Sequence, residues 1–135
     1  MKKKVLKKYA TCLCGNIKIK ITGKLRHVIN CHCIQCMKTH GNYASYTSCS
    51  EKNIIFIKKK TLKWYKSSKI AKRGFCANCG ASIFYKKFKS ENISISAGMI
   101  NKPTKLKSYA NIFTSGKMDY YNLNSKLKKF TKFTK

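Results

Sequence analysis

Apolar and polar residues alternate along several short stretches of this chain. NIKIKI, Asn16 to Ile21, places isoleucine at every second position, which predicts a half-buried strand. NISISA from Asn92 repeats the pattern, with Ile93 and Ile95 opposed to Ser94 and Ser96. YASYT from Tyr43, NIIFIK from Asn53, LKWYK from Leu62, ASIFY from Ala81 and KSYANIF from Lys107 to Phe113 are further β-branched or aromatic runs of strand length. Long helical periodicity is missing, and a turn or two after Cys33 is the best place for a helix. The pattern predicts a mainly β fold of short strands with few helical turns.

At 135 residues and 15.5 kDa, the length predicts one domain over 1–135, with a basic N-terminal extension at 1–8 and a basic tail at about 126–135. There is no repeat of fixed period and a single proline, Pro103. The opening MKKKVLKK resembles the basic start of a secretory leader, but only Val5 and Leu6 follow before more lysine. No apolar window is long enough to span a membrane, so a cytoplasmic location is expected. The tail SKLKKFTKFTK carries Phe130 and Phe133 among lysines. It is expected to be solvated or loosely docked rather than laid on an anionic surface.

Charge adds a second constraint. There are 31 Lys and Arg against three acids, Glu51, Glu91 and Asp119, and only Arg26 and Arg73 are arginine. The excess favours anionic small molecules, nucleic acid or anionic surfaces as contacts and says nothing about fold. Lys58 to Arg73 interleaves basic residues with Leu62, Trp64 and Tyr65; it reads as the wet face of a strand pair, with a ligand-facing patch as the alternative.

Seven of the eight cysteines fall in three clusters: CLCG at Cys12, CHCIQC at Cys31 and FCANCG at Phe75 to Gly80. In a reducing compartment, such tight pairs point to thiolate metal ligation, with zinc as the expected ion, rather than to disulfides. Cys12, Cys14, Cys76 and Cys79 form a full tetrahedral set whose role would be structural, because no coordination position is left. Cys31, Cys33 and Cys36 remain, and three protein ligands leave the fourth position for water or substrate, as catalytic zinc does. Spacing alone leaves open which cysteines share an ion. His32, His40 or Cys49 could close the second site, although an extended backbone would turn His32 away from its neighbours, and Cys49 fits a small buried residue.

The order CLCG, CHCIQC, RGFCANCGASIFY and then NIFTSGKMDYY resembles the GFA family, the glutathione-dependent formaldehyde-activating enzymes and their centromere-protein-V-like relatives. The resemblance runs from about Cys12 to Phe130. It implies a zinc-bound β-tent fold of short antiparallel strands. It also implies two zinc sites: a structural one on Cys12, Cys14, Cys76 and Cys79, and a catalytic one on Cys31, Cys33 and Cys36. The sequence departs from the family at Asn111-Ile112-Phe113, where relatives usually carry His-Ile-Trp or His-Ile-Tyr, and at Tyr120, where Trp is usual.

An open thiolate zinc favours thiol activation, since a coordinated thiol is deprotonated where a free one of pKa ~8.5 is mostly protonated. The resemblance implies a carbon–sulfur lyase that joins glutathione to formaldehyde as S-hydroxymethylglutathione, or runs the cleavage. Arg73 and Lys72, just before FCANCG, are candidates for a glutathione carboxylate. No general base is identifiable. The competing expectation is a basic zinc module that contacts nucleic acid non-specifically through phosphates and aromatics such as Trp64, Tyr65 and Phe88, arginine being too scarce for base reading. A non-catalytic relative sharing only the fold is the third.

Overall fold

The computed structural model describes residues 8–133. The N-terminal extension, apart from Lys8, and the last two residues of the tail lie outside them. Among the described residues, eleven strands run in chain order with one α-helix: β1 (Lys8–Thr11), β2 (Ile17–Ile21), β3 (Val28–Cys31), α1 (Ile34–His40), β4 (Ala44–Ser50), β5 (Ile54–Lys59), β6 (Leu62–Lys66), β7 (Ala71–Cys76), β8 (Ser82–Lys87), β9 (Asn92–Ser96), β10 (Ser108–Ile112) and β11 (Lys128–Lys129). Every stretch that the alternation marked as a strand is one. β1, β3, β7 and the two-residue β11 carry no such pattern and were not foreseen.

The strands form two sheets. A small one has the order β1-β2-β5, and a large one the order β11-β10-β3-β4-β9-β8-β7-β6. Pairing is antiparallel except around β10, which lies parallel to both β3 and β11.

Period-two alternation decides what each sheet buries. Ile17, Ile19 and Ile21 of β2 turn inward and meet Ile93 and Ile95 of β9, together with Phe84, in one core cluster between the sheets. Phe56 of β5 reaches the same layer, edge-on to Phe84. Each fully buried isoleucine contributes about 2 kcal/mol by leaving water. Cys49, which the sequence left without a metal partner, belongs to this core, and burial pushes its thiol up to about 11.

The other face of the large sheet is a different surface. There Ser48 of β4 pairs with Ser94 of β9, Ser94 with Tyr85 of β8, and Tyr85 with Arg73 of β7. Directly opposed residues share a face, so these four side chains form one polar row across four strands. α1 sits on the same side of this sheet as the row and ends at Gly41 in the left-handed conformation. A smaller cluster of Cys31, Cys36, Ala44 and Tyr46 packs beneath it. No helix among the described residues is long and apolar enough to cross a membrane.

Candidate functional site

The sulfur atoms of Cys12, Cys14, Cys76 and Cys79 lie within 4.8 Å of one another, as do those of Cys31, Cys33 and Cys36. All eight cysteines are free. The partition expected from ligand count is therefore the one the fold brings together, and either group could hold a metal ion.

The first group is built from two similar turns. Gly15 and Gly80 adopt φ values of +80° and +79°, a conformation glycine enters without a Cβ penalty. The turns aim backbone N–H groups at sulfur: Cys79 N–H donates to Cys76 Sγ at 3.4 Å, and Ile17 N–H to Cys12 Sγ at 3.3 Å. Thr61 Oγ1 lies 3.0 Å from Cys76 Sγ. Burial pushes the Cys76 thiol up, but the hydrogen bonds from Thr61 and from the backbone of Cys79 and Asn78 outweigh it and bring it down to about 6. Cys12 and Cys14 follow the first strand, and Cys76 and Cys79 follow β7. An ion held there would tie the small sheet to the large one.

The second group uses three kinds of backbone. Cys31 closes β3, Cys33 is the N-cap of α1, and Cys36 sits in its first turn. The cap is made by sulfur, with Cys36 N–H donating to Cys33 Sγ at 3.3 Å. Among these thiols Cys33 is held low, because Cys31 and then Cys36 donate hydrogen bonds to it. Cys31 is raised by the same bond to Cys33, by Cys36 and by burial. Cys36 rises as well, since Cys33 and burial outweigh the lowering effect of Cys31. The lowered thiol is the least buried of the three.

Neither histidine joins this group. His32 is fully buried and turned away; its Nδ1 lies 2.6 Å from Tyr121 Oη and its Nε2 2.8 Å from Asn111 Oδ1. An asparagine oxygen only accepts, so Nε2–H donates and Nδ1 accepts from Tyr121. Asn111, where the family usually has histidine, therefore buttresses the loop between Cys31 and Cys33. Its Nδ2 is buried without a partner among the described residues. His40 Nε2 lies 2.8 Å from Tyr46 Oη. Tyr120, the other departure, is exposed and donates to Asn42 Oδ1 at 2.7 Å.

The three sulfurs line a cavity of about 530 Å³. Its walls include Arg26, Ile34, Tyr46, Ser48, Arg73, Tyr85, Lys87, Ser94, Ile112, Phe113 and Phe133. Both arginines of the chain are among them. Lys72 is not: its Nζ lies 4.2 Å from the Trp64 ring centroid, on the opposite face of β7 from Arg73. Trp64 stacks on Phe84 with centroids 5.6 Å apart and sits against Lys72, an arrangement that occupies the ring expected to stack on bases. Tyr65 remains exposed.

Sequence reasoning missed several cavity residues. Phe133 belongs to the tail, which is docked rather than loose. Phe113 N–H donates to Lys132 O at 3.0 Å, Thr114 N–H to Phe130 O at 3.2 Å, and Phe133 meets Phe113 edge-on at 4.6 Å. Arg26, Tyr46 and Ser94 carried no motif, and Tyr85 entered only as the last residue of RGFCANCGASIFY. Only the pairing of distant strands brings them together.

The sequence profile of the family described as glutathione-dependent formaldehyde-activating enzyme matches residues 7–116. The match ends before Tyr120, Tyr121 and the docked tail, although the resemblance in the sequence was traced to Phe130. No curated protein matches the chain. Three chains of solved structures do. One is the crystal structure of a Rhodobacter sphaeroides protein, with a TM-score of 0.60 and 18% identity over 72% of this chain and 91% of its own length. At that identity the likeness speaks for the fold.

Proposed function

The chain belongs to the GFA family, and on that premise we propose that it is a zinc-dependent carbon–sulfur lyase acting on glutathione or a related thiol adduct. The observation that carries the reading is the contrast between the two sulfur groups. One has four cysteines and is complete; the other has three, and its sulfurs line a cavity large enough for a small thiol.

The donor sets fit zinc. A tetrahedral ion with Zn–S bonds of about 2.3 Å needs sulfurs about 3.8 Å apart. The Cys12–Cys14 and Cys14–Cys76 separations are both 3.6 Å. Cys12, Cys14, Cys76 and Cys79 would hold a structural zinc, and Cys31, Cys33 and Cys36 a second one with a position open to substrate. Zinc bound there would convert an incoming thiol to its thiolate at neutral pH.

The reaction forms a C–S and an O–H bond and breaks the S–H bond and the carbonyl π bond. The glutathione sulfur joins the formaldehyde carbon, the carbonyl electron pair moves to oxygen, and the thiol proton ends on that oxygen. The reverse reaction cleaves the same C–S bond. The chain's own part is binding and orientation. Arg26 and Lys87 on the walls provide positive charge for the glutathione carboxylates, and Ser48, Ser94 and Tyr85 offer hydroxyls to its amides. Lys72 has no place in this binding. Thiolate ligation and a glutathione substrate both agree with a cytoplasmic location.

The charge of +28 supports a second reading, non-specific contact with nucleic acid. Phe84 and Lys72 pack against the Trp64 ring, while Tyr65 and Phe88 stay exposed for stacking.

Nuclear magnetic resonance exchange between glutathione, formaldehyde and S-hydroxymethylglutathione tests the first reading. The zinc-loaded wild type should accelerate the exchange, and Cys33→Ser should abolish the acceleration. Equal rates with and without protein would remove it.

A further inference from the structure

We infer that Arg73 is a positioning residue of the three-sulfur centre: it fixes Cys36 and supplies the positive charge that balances the centre, and it does not bind substrate. This rests on the proposal that Cys31, Cys33 and Cys36 hold an ion. It replaces the expectation that Arg73 binds a glutathione carboxylate.

Arg73 is 7% exposed. A guanidinium has five N–H donors in a rigid fork, and the contacts around it account for all five. Nε and one hydrogen of Nη2 face Gln35 Oε1, each at 3.4 Å. Nη1 faces Tyr46 Oη at 3.3 Å and Thr39 Oγ1 at 3.5 Å. The remaining Nη2 hydrogen faces Cys36 Sγ at 3.6 Å. One face of the guanidinium lies 5.0 Å from the Tyr85 ring centroid. No donor is left for a substrate carboxylate.

The second argument is charge. A buried cation needs an opposite charge. None of the groups around Arg73 is a carboxylate, and the single ion pair among the described residues joins Lys86 to Glu51. With an ion bound by its three thiolates, the sulfur centre is the one anion within reach among the described residues. Three thiolates on a divalent ion leave one negative charge, and Arg73 carries one positive charge. Each then provides what the other lacks.

Geometry explains why the residue is arginine in a chain otherwise so rich in lysine. The fork joins α1, through Gln35 and Thr39, to β4, through Tyr46, while touching the sulfur between them. An ammonium concentrates its three donors at one point and cannot span that gap.

The test compares wild type with Arg73→Met and Arg73→Lys, all loaded with zinc. A chromogenic chelator reports the loss of each ion, and the four-cysteine site serves as an internal reference. Arg73→Met should lose the second ion at least tenfold faster than wild type and keep the first at the wild-type rate. Arg73→Lys, which restores charge without the fork, should fall between. With glutathione, Arg73→Met should lower kcat more than it raises KM. Wild-type retention of the second ion in Arg73→Met, with only KM for anionic thiols raised, would make Arg73 a substrate anchor and overturn the inference alone. Equal loss of both ions would reduce it to a packing residue and overturn the inference too. A wild type that holds a single ion would overturn both the functional reading and this one.

Discussion

Lys87 Nζ lies 4.0 Å from the ring centroid of Phe133, so a side chain from β8 meets one from the C-terminal tail across the cavity they both line. The contact joins β8 to the tail docked beside β10, four strands away in the large sheet. It makes the tail a wall of the pocket.

Phe133→Ala should therefore open the pocket with little cost to the fold. Phe133 is 48% exposed, and losing its ring contacts should reduce stability by about 1 kcal/mol. Steady-state kinetics should show KM for glutathione rising severalfold while kcat changes less than twofold. Unchanged KM would mean that the tail does not border the bound thiol.

The two sulfur groups should differ in what they support. Cys76→Ser removes a ligand from the site that joins the sheets. A structural zinc contributes about 10 kcal/mol or more to folding, against a total stability of about 5–15 kcal/mol for a domain. Cys76→Ser should fail to fold cooperatively in urea, whereas Cys33→Ser, which keeps the ion that ties the sheets, should still unfold cooperatively, at a midpoint below that of wild type because the second ion also stabilises the folded state. Similar midpoints for the two variants would refute the structural assignment.

His40 predicts a pH dependence. Arg73 donates to Tyr46 Oη, whose hydroxyl faces His40 Nε2, and the neutral imidazole can accept that proton. Burial first, and then the Arg73 charge, hold its pKa below the usual value. The unfolded chain takes up the proton at about pH 6.5 and the folded chain only at lower pH. Stability from His40 is thus fully present above about pH 6.5 and declines as pH falls toward the folded pKa, by at most about 1.4 kcal/mol per unit. Between pH 7.5 and 5.5 the wild-type thermal midpoint should fall further than that of His40→Gln. Parallel curves would show that His40 has no part in the loss.

What the sequence revealed depended on how local each signal was. The cysteine groups could be read because ligands one or two residues apart must share a neighbourhood, and the glycine after each turn marks its shape. β2 and β9 could be read because one face of each is buried and the other is polar. β7, with the sequence AKRGFC, gave no sign: Ala71 and Cys76 are fully buried, Arg73 nearly so, and Gly74 interrupts the pattern by fitting under Trp64. The role of Arg73 was out of reach for a related reason. Its partners Gln35, Thr39, Cys36 and Tyr46 are separated from it by 27 to 38 residues, and only the pairing of β7 with β8 and the placing of α1 bring them near. The tail was read as solvated or loosely docked because two phenylalanines among lysines show no period, and its firm dock on β10 and Phe113 is tertiary.

Native mass spectrometry of the zinc-replete protein, with and without glutathione, tests the central claim most directly. Two zinc ions per wild-type chain, one per Cys33→Ser chain, and a glutathione adduct confined to the two-zinc form are the predicted result. A single zinc in the wild type, or an adduct that persists in Cys33→Ser, would contradict it.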